Sequence, residues 1–210
     1  SGSIRVGTGN TQGASSGSIL VASGSATANS GDVIIQLGDT VDGVGGSVLL
    51  KAGKSTSVTG GNIHMHAGSS SSGIGGSIDI QTTTSRVGSG AINIRTEYSE
   101  LGASGDINIA ASESLSSPGG AIRVVAGASA GGAGGDLTLS AGRSSTGGAG
   151  GSVLLESGKG QQNSGDVLLR SGNAERISGS VEIATSGTIL PEGASGSISF
   201  GTGDATASAG

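Results

Sequence analysis

The chain has two histidines, His64 and His66, and they stand two residues apart. Imidazole is a common ligand for borderline divalent metals. In an extended backbone, residues i and i+2 project from one face about 6.5–7 Å apart. Asp79 lies fifteen residues beyond His64, a spacing that gains meaning only if the chain repeats with that period. The trio His64, His66 and Asp79 is then eligible for a surface metal site. Neither histidine recurs elsewhere, so the expectation is two exposed polar side chains and no bound metal or cofactor.

Other reactive groups are sparse. Asp32, Asp106, Asp136 and Asp166 share one place in a repeated pattern, but seven of its fourteen occurrences carry Ser. A calcium-binding array holds its ion between adjacent turns and needs the carboxylate in nearly every one. These positions are better suited to hydrogen-bonding nearby backbone, which Ser, Asp and Asn all do. There is no cysteine, and no Ser, His and Asp converge on one register. Asp79, Glu156 and Glu182 are far apart in the chain, so no acid/base pair is expected. Catalysis is not expected. The net charge is −5, and Tyr98 and Phe200 are the only aromatics. That excludes a basic, base-stacking surface for nucleic acid. No apolar run reaches the roughly 18 residues of a membrane span.

What positions these residues is a repeat. A Gly precedes each short apolar run, at Gly2, Gly17, Gly31, Gly46, Gly61, Gly76, Gly90, Gly105, Gly120, Gly135, Gly151, Gly165, Gly179 and Gly196. Disordered Gly/Ser-rich sequence has no reason to hold such a register. With that Gly as position 0, position 2 is always Ile, Val or Leu. Position 4 is apolar throughout, from Val6 to Phe200, and position 6 is Ala, Ser or Thr except at Leu37. Apolar residues at i and i+2 predict a strand with one buried face. The expected fold is therefore all-β, a parallel β-solenoid of about fourteen coils with ~15 residues per coil. So short a coil implies a flattened, two-sided cross-section. Thr27, Val58, Ile74 and Ala133 would supply the second side. Glycines would turn the corners with positive φ. Residues 1–210 read as one continuous array, an internal stretch of a longer protein with no cap at Ala209-Gly210. The longest insertion is at Ile189-Leu190-Pro191-Glu192.

On such a scaffold, function is surface function. Position 3 is mixed, which argues against the regular Thr array of an ice-binding face. It also carries Leu20, Ile34 and Leu49 in successive units, then Leu154 and Leu168. Outward aliphatics in register form a stripe suited to lateral contact with another rod or domain.

Units such as Gly46-Ser47-Val48-Leu49-Leu50-Lys51-Ala52-Gly53 and Gly165-Asp166-Val167-Leu168-Leu169-Arg170-Ser171-Gly172 resemble those of long Gly/Ser-rich repeat proteins. Such proteins come from diatoms, haptophytes and the large viruses of algae. The resemblance implies an extracellular, cell-surface or virion-surface filament or adhesive, self-associating end to end or laterally, with no functional residue to carry over. An ice-binding or carbohydrate-binding module is the alternative.

Overall fold

In the computed structural model, residues 2–187 and 193–203 are described; the insertion at 189–192 and the end at 209–210 lie outside them. The chain divides into two units, Ser1–Ile107 and Asn108–Gly210, and both are built from the same local motif.

Extended geometry is visible where the repeats at Gly61, Gly76 and Gly90 begin. Three side-chain pairs at i and i+2 touch along such segments. His64 stacks with His66 at 6.0 Å between ring centroids. Ser77 donates to Asp79 at 3.5 Å, and Arg95 Nε donates to Glu97 at 3.4 Å. Contact at that spacing is the mark of a pleated, extended backbone, in which alternate side chains share a face. All three pairs occupy odd positions of the repeat. The aliphatic positions 2 and 4 therefore face the other way.

The chain then bends. Bends begin at residues 12, 27, 41, 56, 71, 86 and 100 in the first unit, and at 115, 130, 145, 161 and 175 in the second. Each lies ten residues after the Gly of its repeat. In six of these bends a Ser at position 9 accepts a backbone N–H. Ser55 Oγ accepts from Val58 N–H at 3.0 Å, Ser70 from Gly73 at 2.8 Å, and Ser99 from Gly102 at 3.1 Å. Ser114 and Ser129 accept in the same way from Ser117 and Gly132. Ser144 reaches one residue further, to Gly148, because its repeat has sixteen residues; Gly147 absorbs the extra residue with φ 83°. Such local side-chain bonds compete with regular pairing and favour turns.

After the bend the chain returns to its own start and forms a neck. Gly61 N–H donates to the Gly53 carbonyl at 2.9 Å, and Gly76 to Gly68 at 2.8 Å. Gly120 to Ser112, Gly135 to Gly127, Gly151 to Gly142 and Gly165 to Gly158 repeat the bond in the second unit. The neck explains two features of the pattern together. A Cβ at position 0 would meet the position-6 residue of the preceding repeat, at 3.0 Å for Gly120 against Ala111 and 3.4 Å for Gly61 against Ala52. Gly at position 0 and a small residue at position 6 suit this crossing, most tightly at Gly120 and Gly61.

The solenoid expectation fails at this point. Among the described residues there is no strand or helix, and the six backbone bonds between them all close necks. None joins the extended segment of one repeat to that of the next, so no sheet and no stacked coil forms. The physical reason is local. Closing a loop of eight or so residues on itself costs little entropy, and the Gly/Ser half gives that loop its own bonds. That half also lacks the side chains to face the aliphatics across a second sheet. Thr27 and Val58 sit in bends, and Val58 and Ile74 are exposed, Ile74 completely. The corner glycines differ from expectation as well: positive φ occurs among the described residues at Gly13 and Gly147 only. At Gly46, Gly61 and Gly120 a Cβ would come within 3.0–3.3 Å of a neighbour, and there the neck requires Gly.

The consequence is a lack of burial. No described hydrophobic side chain is buried, and the accessible surface is 21482 Å². A folded monomer of 19.6 kDa would expose only about 8,600 Å². The least exposed residues include Ala52, Ser55, Ala126 and Ala141, which are neck and turn residues.

Candidate functional site

With no side chain buried among the described residues, the chemistry on view is that of the two segment faces. The odd face carries the histidines. The His64 and His66 rings lie nearly parallel, 16° apart, with centroids 6.0 Å apart, and both residues are exposed. Asp79 is not brought to them. Its placement beside His64 depended on stacked repeats, and no group of three or more His, Cys, Asp or Glu side chains capable of holding a metal forms among the described residues. Asp79 instead accepts from Ser77 within its own segment.

Asp32, Asp106, Asp136 and Asp166 are exposed at position 1, beside the neck glycines. No hydrogen bond to nearby backbone is formed by them, so the role expected of that position is not seen among the described residues. The Arg95–Glu97 pair is more than three-quarters open to water or close to it, at 75% and 79%. A pair so exposed contributes little.

The even face carries the aliphatics. Position 2 residues keep 46–95% of their surface exposed and position 4 residues 56–81%. Leu20, Ile34, Leu49, Leu154 and Leu168, on the odd face, keep 69–87%. These residues are exposed one by one, and without stacked repeats nothing aligns them into the stripe expected from position 3. Where position 3 is aliphatic, as in Val33-Ile34-Ile35, Val48-Leu49-Leu50 and Val153-Leu154-Leu155, both faces of the segment are apolar.

The residues that shape the repeat escaped the strand pattern. Ser or Thr stands at position 9 in ten of the fourteen repeats, a weaker signal than the apolar positions but a recurring one. Gly-Gly pairs at 60–61, 75–76, 119–120, 134–135 and 150–151 all follow an Ala at position 6, and all five necks close. The four necks facing Thr8, Thr82, Thr96 and Thr185 form no such bond. Comparison with known proteins adds no constraint: no family model, curated protein or solved structure matches the chain.

Proposed function

We propose that the chain is a structural, self-associating repeat protein, a component of an extracellular filament or adhesive layer, and not a catalyst. The observation that carries this reading is the exposed aliphatic register. Fourteen repeats present the same two apolar positions, and none of the described ones is buried within the chain. Apolar surface left in water costs about 25 cal/mol per Å². Unpaired N–H and C=O groups along an extended segment are ready templates for another segment. A second copy carries the same fifteen-residue register, so its segments match these in spacing, polarity and length. Self-association thus offers the burial that a single chain does not achieve. The resemblance of the repeats to algal surface proteins agrees with a location outside the cell.

Sedimentation velocity over a concentration series tests the proposal. Association that grows with concentration is expected, and Leu20→Ser, Ile34→Ser and Leu49→Ser together should shift its onset to at least ~10-fold higher concentration, given about 1 kcal/mol or more for each lost aliphatic contact. A chain that stays monomeric at all concentrations overturns it; a triple variant that associates like the parent excludes position 3 from the contact and leaves positions 2 and 4 to make it.

A further inference from the structure

The histidine pair has a geometry that the aliphatic register does not explain. The two histidines of the chain share one face of one extended segment, rings stacked at 6.0 Å. No hydrogen bond or ion pair among the described residues engages either ring, so their nitrogens are not committed elsewhere. Both side chains are exposed and free to tip toward each other. A metal bound by two imidazoles needs each nitrogen about 2.0–2.1 Å from the ion, which such tipping supplies.

One chain contributes only two ligands, since no third His, Cys, Asp or Glu is gathered with them among the described residues. A structural zinc site is almost always four-coordinate and tetrahedral. Two chains meeting at this segment about a two-fold axis would supply four imidazoles, and a symmetric pair is the commonest way for identical chains to meet. Met65, between the histidines, projects from the opposite face with the other aliphatics and does not obstruct that approach.

We infer that His64 and His66 form a half-site for a borderline divalent transition ion, zinc above all, completed by the same pair from a second copy. The ion would pin one repeat against its equivalent and set the register of the two chains. Metal-linked pairing of this kind is independent of aliphatic association and is measured apart from it.

The experiment titrates zinc chloride into the full chain below its own association threshold. Bound zinc is followed by calorimetry, and mass by light scattering. The expected result is about half an equivalent of zinc per chain, a doubling of mass, and reversal by a chelator. His64→Ala or His66→Ala should raise the zinc concentration required by at least ~10-fold, because a tethered second ligand is lost. Neither substitution should change association in the absence of zinc. Repeating the titration in the Leu20, Ile34 and Leu49 to Ser variant separates the two modes of pairing. Absence of zinc binding overturns the inference. So does one zinc per chain without a change in mass, or a doubling that survives loss of both histidines.

Discussion

Leu37 is where the rule of the neck can be tested most sharply. It is the one large residue at position 6, and it faces Gly45-Gly46, a Gly-Gly pair like those of the closed necks. Yet Gly46 N–H forms no bond to Gly38. Leu37 Cδ1 lies 3.3 Å from where a Gly46 Cβ would stand, so its side chain wedges the crossing open. Leu37→Ala removes the wedge and should let Gly46 N–H donate to the Gly38 carbonyl, as Gly61 does to Gly53. A backbone hydrogen bond is worth about 0.5–1.5 kcal/mol net, which is a roughly 2- to 10-fold slowing of exchange at that amide. Leu37 is also 42% exposed, the least of the large apolar residues. Truncating it gives up part of the ~1.5–3 kcal/mol of full burial, a loss of similar size to the gain. Thermal melting is therefore a poor readout, and residue-resolved amide exchange on dilute chain is the appropriate one. The reciprocal change, Ala52→Leu, should open the neck at Gly61 and speed its exchange by a similar factor. If Gly46 exchanges at the parent rate in Leu37→Ala while Gly61 stays slow, or if Ala52→Leu leaves Gly61 protected, the steric account of the neck is wrong.

Two further substitutions probe the turn. At Gly160, a Cβ would collide with the Asn163 carbonyl oxygen, so Gly160→Ala cannot keep this turn and should release the Gly165 amide from Gly158; unchanged exchange at Gly165 would refute the close approach. Ser70→Ala removes the oxygen that Gly73 N–H reaches at 2.8 Å. It should speed exchange at Gly73 by roughly 2- to 10-fold while leaving Gly132, whose acceptor is Ser129, unaltered. A uniform change at both amides would mean that the turns are not independent.

What the amino-acid pattern reveals, and what it conceals, follows from how the repeat works. Every bend of the first twelve repeats falls ten residues after its Gly, so the register read from Gly and the aliphatics is the register of the chain. Side chains two apart do meet on one face at His64–His66, Ser77–Asp79 and Arg95–Glu97, as alternation implies. Strand pairing was not legible. Alternation states which face is apolar and leaves open what covers it, and residues such as Val48 and Leu50 read alike whether the cover is the next repeat or another chain. The small residue at position 6 misled for the same reason. Ala52 and Ala126 suggest close sheets, but the contact they permit is with Gly61 and Gly135 of the following neck. For His64 the inferred neighbour Asp79 depended entirely on stacking, and it fell with the stack; His66 depended only on i and i+2, and it held. Contacts within one segment survive an error in topology, and contacts between repeats do not. The histidine pair is thus the firmer half of the trio, because its geometry is set within one segment and no third ligand joins it among the described residues.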